Sequence, residues 1–229
     1  MKVSIIIPTY CRPQQVHDYT RQLMLTVTHF DTEIIVVAEV NDDALSLVEK
    51  LPVTTTFHKD WRGSMANWNI GAGMATGDIL VLWADDLWPL DGWLDNALEH
   101  MDAQGTCYCG LNDMLACTHP DCDPTHWVIT RQGIIDYCGG CIMPPVYTMT
   151  FGDNEIAARM RRAGQFAWCA EAMVDHRHAS AGKAKVDRAY LNMQRYLHQD
   201  QQTFEARKAA NFPDDFEPMV FPLEASDAP

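Results

Sequence analysis

"GSMANWNIGAGMATGDILVLWADD", residues 63–86, is the stretch on which the fold turns. Residues 63–77 carry mostly small side chains and close on Gly77, a common helix stop, so they predict a helix. Residues 78–84, "DILVLWA", are a continuous apolar run of strand length, the composition of a strand buried on both faces. That strand runs straight into two adjacent carboxylates, Asp85 and Asp86, and then into Trp88 and Pro89. No basic residue stands beside the pair in the chain. The plain reading is a solvated turn; the sharper one is a metal ion that joins the protein to something anionic.

The same alternation extends upstream. "VSIII" (3–7) predicts a buried first strand closed by Pro8, and residues 13–29 set Val16, Tyr19, Leu23 and Val27 at helical spacing. "TEIIVVAEV" (32–40) is a second buried strand, "NDDALSLVEKL" (41–51) a helix with a capping start at Asn41 to Asp43, and "VTTTFH" (53–58) a more exposed strand. This rhythm implies βαβ units, a mostly parallel sheet flanked by helices, and ligand binding at the carboxyl ends of its strands. Tyr10, Glu39 and Asp85 all fall just past such ends and converge on one crevice.

Downstream the pattern is less regular. A helix is expected over 90–102, strands over 105–112 and 126–134, mixed antiparallel into the sheet, and an amphipathic helix over 153–164. Residues 165–180 predict a short strand pair followed by a loop bearing His176 and His178. Residues 187–210 predict a terminal helix or helix pair. The economical division is one α/β domain over 1–185 and a helical C-terminal extension with an acidic tail over 186–229.

The 229 residues carry 47% hydrophobic and 21% charged side chains, an ordinary soluble composition. The longest apolar runs fall far short of the roughly 18 residues that a membrane span requires. The N-terminus does not read as a signal peptide, so a cytoplasmic location is expected. A net charge of −14 argues against broad nucleic-acid binding, which rests on neutralising phosphates. Among eight cysteines, Cys117, Cys122, Cys138 and Cys141 have spacings seen at structural zinc sites, with His119 and His126 nearby, and disulfides are not expected in that compartment.

An ion at the acidic pair would have an oxygen-preferring Mg2+ or Mn2+ character, with Asp85 or Asp86 and an imidazole from "HRH", His176 or His178, as ligands. Arg12, Arg62 and the Gly-hinged Lys183 and Lys185 are candidate phosphate partners. Trp88, next to the pair, is a candidate for a stacking contact with the same ligand.

Four motifs in order carry a resemblance: "VSIIIPTYCRP", "NWNIGAGMATGDILVLWADD", "FGDNEIAARMRRAG" and "VDHRH". Together they resemble the family 2 glycosyltransferases over about residues 3–180. The resemblance implies a GT-A-type fold and a metal-dependent, inverting transfer of a sugar, most commonly a hexose, from a nucleotide diphosphate sugar to an acceptor hydroxyl. It implies Asp153 as the base, with Glu155 as its competitor, and a helix N-terminus that lowers the Asp153 pKa. It implies a metal held by the Asp85–Asp86 pair with His176 or His178, and a donor pocket of Pro8, Tyr10, Arg12, Glu39, Arg62 and Asp85.

The chain departs from that pattern twice. Trp83 stands at the first position of the usual Asp-x-Asp, so the ribose contact is missing or falls to Asp85, with Asp86 left to the metal. Glu39 stands where an Asp usually reads the base, and its acceptors suit uracil, thymine or guanine, a UDP-sugar being the common case. The acceptor is a glycan, a lipid-linked sugar, a protein or a hydroxylated nucleobase. The alternatives are an inactive sugar-nucleotide-binding module, a zinc-bearing interaction module, or a sugar nucleotidyltransferase. The last needs a Gly-rich loop after the first strand, and "PTYCRPQQ" has no Gly.

Overall fold

Apolar residues alternate across both faces of the first strands, so the sheet must be covered on each side. The computed structural model of the chain describes residues 1–39 and 44–216. Its elements are β1 Lys2–Thr9, α1 Pro13–Thr26, β2 Asp31–Glu39, α2 Ala44–Val48, β3 Thr54–His58, α3 Ser64–Met74, β4 Ile79–Leu82 and β5 Leu87–Pro89. They continue with α4 Trp93–Gln104, β6 Tyr108–Asn112, β7 Trp127–Thr130, α5 Arg131–Tyr137, α6 Gly152–Arg162, β8 Phe166–His176 and α7 Arg188–Ala209. The sheet order is β3-β2-β1-β4-β7-β6-β8-β5. Strands β3, β2, β1 and β4 are parallel, β7 is antiparallel to β4 and β6, and β6 and β8 are again parallel.

Val3, Ile5, Ile7, Val36, Val81 and Trp83 face one layer, packed with Val16 and Leu23 of α1 and Trp93, Leu94 and Ala97 of α4. Ile6, Ile35, Val37, Leu80 and Leu82 face the other, with Met65, Trp68 and Ala72 of α3, Ile156 and Met160 of α6 and Phe204 of α7. The small residues of α3 have a steric reason: a Cβ on Gly71 would overlap Ile6 Cγ2. That helix therefore lies close on β1.

The α/β architecture agrees with the expectation; several elements do not. Helix α3 ends at Met74 with Ala75 as its cap, and Gly77 packs against Ser4 rather than ending the helix. The 126–134 segment is strand only through Thr130, because the Thr130 hydroxyl caps α5 by accepting from the Gly133 N–H. Residues 166–176 form one strand, not a pair: it follows β6 to Cys169, passes an irregularity, and then pairs with the short β5. Residues 188–209 make one helix. The cap at Asn41 to Asp43 and the tail beyond residue 216 lie outside the described residues.

The zinc expectation is not supported. Cys117 and Cys122 are joined in a disulfide, contrary to the expectation of free thiols. Cys138 and Cys141 are buried in the core, and no cysteine belongs to a possible metal-binding group among the described residues.

Candidate active site

Strand ends set the site. Where β1, β2 and β4 stop, their last residues and the loops that follow line a cavity of about 540 Å3. Pro8, Thr9, Tyr10 and Arg12 come from β1 and its turn, Glu39 from β2, and Asp85 and Asp86 from the loop after β4. Glu39 is 1% exposed, and its Oε1 accepts the backbone N–H of Arg62 at 2.6 Å and of Gly63 at 2.9 Å. This anchors the start of α3, from which Ser64, Met65, Asn67 and Trp68 line the same cavity. The Asn67 Oδ1 is buried without a hydrogen-bond partner.

Asp85 and Asp86 do have a basic partner, from far along the chain. The Arg12 guanidinium donates to Asp85 Oδ1 at 2.6 Å and to Asp86 Oδ2 at 3.4 Å. Thr9 donates to Asp85 at 2.8 Å and Tyr190 to Asp86 at 3.0 Å. Arg12 also donates to Asp187 at 2.7 Å and lies 4.4 Å from the centroid of the Tyr190 ring. The pair is therefore not left to solvent or to an ion alone, since Arg12 supplies compensating charge. Burial pushes Asp85 up, and Asp86 adds repulsion, against the pull of Arg12. For Asp86, His176 and Arg12 outweigh the opposite effect of burial and hold its carboxyl well below the ordinary range.

Trp83, at the position where a carboxylate is usual, is 1% exposed and packs on Trp93 with ring centroids 4.6 Å apart. Its side chain belongs to the core.

A second polar group adjoins the first. His176, at the end of β8, sets Nε2 3.5 Å from Asp86 Oδ1 and Nδ1 3.2 Å from Asp113 Oδ2. Burial opposes its charge, but these two carboxylates outweigh it and lift the imidazole to about 9. Next to it, edge to face with ring centroids 4.9 Å apart, is His126, which burial and the charge of His176 push down to about 3. His178 also lines the cavity, its Nδ1 accepting the Ser180 N–H at 3.1 Å.

Asp153 enters from the opposite layer, in the first turn of α6. It lines the cavity, and its Oδ1 is buried with no hydrogen-bond partner. Burial raises its pKa to about 6, outweighing the local backbone N–H groups, so the expected lowering by the helix end is overturned. Nor is Asp153 the helix cap, a place taken by Phe151 with φ at 69°. Glu155 is committed elsewhere: it pairs with Arg159 at 2.8 Å and Arg207 at 2.8 Å and accepts from Tyr147 at 2.7 Å.

Of the residues expected at the site, Pro8, Tyr10, Arg12, Glu39, Asp85, Asp86, Asp153, His176 and His178 share the cavity. Arg62 does not line it: its side chain is exposed and only its backbone N–H meets Glu39. Lys183 pairs with Asp175 at 2.6 Å, and Lys185 is exposed. Trp88 packs on Tyr19 and Arg177 outside the cavity. Thr9, Asn67, Asp113, Thr125 and Tyr190 escaped sequence reading: Thr9 and Asn67 lie within quoted motifs but carry no charge to single them out, and the other three lie outside every motif. His126 was noticed only as a neighbour of the cysteines.

No curated protein matches the chain. Among solved structures, it is similar to a mannosyltransferase from Pyrobaculum calidifontis in complex with GDP-Man and Mn2+, at 17% identity and a TM-score of 0.63, covering 91% of this chain and 73% of that one. It is similar to glucosyl-3-phosphoglycerate synthase from Mycobacterium tuberculosis, in complex with Mn2+, UDP and phosphoglyceric acid, at 13% identity and a TM-score of 0.59, covering 79% and 73%. S. aureus TarS in complex with UDP-GlcNAc aligns at 16% identity and a TM-score of 0.60, covering 85% of this chain and 65% of that one. At such identities the likeness establishes the fold, which is that of the GT-A glycosyltransferases. Residues 4–191 match the family described as glycosyl transferase family 2. With the match spanning most of the chain and the fold in agreement, the chain belongs to glycosyl transferase family 2.

Proposed function

We propose that the chain is a metal-dependent, inverting glycosyltransferase that moves a hexose from a nucleotide diphosphate sugar to an acceptor hydroxyl. The observation that carries this reading is the one cavity in which Glu39, the Asp85–Asp86 pair and the Asp153 carboxylate, with its Oδ1 unpartnered, meet. Glu39 and the Asn67 Oδ1 offer acceptors to the N–H groups of a base, and Pro8 and Tyr10 line the same end. Asp85, held by Thr9 and Arg12, takes the ribose and diphosphate side.

Asp86 Oδ1 and His176 Nε2, 3.5 Å apart, fit two ligands of one divalent ion. When bound, Mn2+ or Mg2+ neutralises the charge that develops on the diphosphate leaving group. Asp153 accepts the proton of the acceptor hydroxyl as that oxygen attacks the anomeric carbon on the face opposite the departing diphosphate. The new C–O bond forms as the old one breaks, which inverts the configuration. A carboxyl raised to about 6 is a stronger base than an ordinary Asp and is still ionised at neutral pH.

Neighbours of this fold have been solved with GDP-Man and with UDP, which supports a nucleotide diphosphate sugar as donor. Among the described residues no helix is long and apolar enough to cross a membrane. Residues 1–185 are read as the catalytic domain, 186–229 as a helical C-terminal extension with an acidic tail, and the cytoplasm as the place of action.

The test is thermal melting with a panel of nucleotide diphosphates, with and without Mn2+, on wild type, Asp86→Asn and Asp153→Asn. A metal-dependent shift for one nucleotide in wild type and Asp153→Asn, but not in Asp86→Asn, is expected. No shift with any nucleotide would overturn the donor site.

A further inference from the structure

Two segments border the Asp153 end of the cavity. The first is the 113–125 loop, tied to α6 where Asn154 Nδ2 donates to Asp123 Oδ2 at 3.2 Å. The Cys117–Cys122 disulfide brings the start of that loop back to this tie, and Leu115 lines the cavity from it. The second is α7. Its Asp200 accepts the backbone N–H of Met149 at 2.7 Å and of Thr150 at 2.9 Å, in the loop that leads to Asp153. Leu197 and Met193 precede Asp200 by three and seven positions, so they share its face of α7, about 4.5 and 10.5 Å further along the axis. Both line the cavity, together with Met149 and Phe151 of the loop.

These apolar side chains are not closed off as a core would be. Leu197 is 42% exposed, and Leu115, Met149, Phe151 and Met193 are half-buried. No free cation stands among them. All 17 Lys and Arg lie among the described residues, and only Arg12 lines the cavity, where Asp85, Asp86 and Asp187 already engage it. The carboxylates of Glu39, Asp85, Asp86 and Asp153 line the same cavity. His176 lies between Asp86 and Asp113, and the exposed Arg188 acts on Tyr10, at the donor end. An anionic acceptor would therefore bring its charge to Asp153 without a partner, which is costly away from water. An apolar group would instead remove half-buried leucine, methionine and phenylalanine surface from water, which is favourable.

We propose that the acceptor is a small uncharged molecule that carries an aryl or alkyl group near its attacking hydroxyl, and that Met193 and Leu197 of α7 select it. Phosphorylated and carboxylated acceptors are disfavoured by the same wall. The occupant is a free molecule and not a membrane lipid: the apolar side chains line a cavity, and a net charge of −14 opposes approach to an anionic leaflet. The inference rests on the glycosyltransferase reading above and narrows its acceptor.

The experiment is saturation-transfer NMR on the purified full chain with Mn2+ and UDP or GDP. The probes are glucose, glucose 6-phosphate, phenyl glucoside, and octyl glucoside below its micellar concentration. The phenyl and octyl glucosides are expected to bind at least about tenfold tighter than glucose, and glucose 6-phosphate more weakly than glucose. Leu197→Asn, at an exposed position, is expected to weaken the phenyl and octyl probes about fivefold, with the nucleotide-induced melting shift kept. The wild-type ranking needs no variant, so a misfolded Leu197→Asn, checked by melting, does not decide the matter. Equal binding of all probes, binding of none, tighter glucose 6-phosphate, or an unchanged ranking in folded Leu197→Asn and Met193→Asn would overturn the inference. Sedimentation with phosphatidylcholine vesicles that depends on Leu197 would overturn it too, by assigning the wall to a lipid surface. Any of these with the nucleotide shift intact leaves the donor reading standing; absence of that shift in wild type would overturn the donor reading itself.

Discussion

Asp153 is the residue whose chemistry is most directly testable. Its raised pKa of about 6 comes from burial, and its base form dominates only above that value. Transfer should therefore fall tenfold per pH unit below about 6, and Asp153→Asn should lower kcat at least a thousandfold while leaving nucleotide binding intact. The same burial makes the ionised carboxylate a cost to the fold. Because the folded-state value lies above the unfolded one, that cost is absent below the unfolded pKa, small at pH 4 and complete above the folded pKa. Asp153→Asn should raise stability by on the order of 2–3 kcal/mol at pH 8 and by little at pH 4. Equal melting of both proteins at pH 8 would count against the burial argument.

Arg12 offers a second test. Removing one partner of a buried pair leaves uncompensated charge and costs about 3–5 kcal/mol. Arg12→Ala should melt lower than wild type, and Mn2+ should restore more stability to the variant than it adds to wild type, since the ion supplies the missing positive charge. Equal gains would show that the ion does not meet the same carboxylates.

Helices α3 and α7 hold the site from two sides. On α3, Gly71 is the point of closest approach to β1. Gly71→Ala gains about 1 kcal/mol of helix propensity but forces Ile6, which is 0% exposed, out of place; overpacking of this kind costs about 1–3 kcal/mol. A net loss in denaturant titration is expected, with reduced nucleotide affinity because Asn67 and Trp68 shift with the helix.

Helix α7 acts at longer range. Its Asp200, 1% exposed, accepts the backbone N–H of Thr148 at 3.1 Å, Met149 at 2.7 Å and Thr150 at 2.9 Å. These residues form the loop that delivers Asp153. Asp200→Ala leaves three donors without that acceptor, at about 1–3 kcal/mol for each one that stays buried. It should lower kcat, read in steady-state kinetics, because the loop leads directly into the proposed base.

In the whole molecule, the two halves of the sheet bring the ends of β1, β2 and β4 against Asp153 on α6, His126 just before β7 and His176 at the end of β8, around one cavity. Ligand binding to such an assembled site stabilises the whole chain: at a hundred times its Kd, a nucleotide with Mn2+ should add about 2.7 kcal/mol. The alternating layers, the parallel order of the first strands and the polar strand ends were legible from residues 3–86 alone. Hydrophobic periodicity is written over stretches of a few residues, and a strand buried on both faces has little freedom in what it can contain. Asp153, Glu39 and the acidic pair were legible for a similar reason, as motifs tied to strand and helix ends.

What escaped was set by contacts between distant segments. Arg12 and Asp85 are 73 positions apart, and Asp113 and His176 are 63 apart. No local pattern encodes either pair. The direction of the Asp153 shift escaped too, because the helix end is a local feature whereas burial depends on everything packed around the carboxylate. The chain's own pattern therefore settled the layers, the parallel run of the first strands and the strand ends at which the cavity opens. Folding alone decided which charges compensate one another there, because Coulomb and hydrogen-bond partners are chosen by distance in space, and distance in space is fixed only once the sheet has closed.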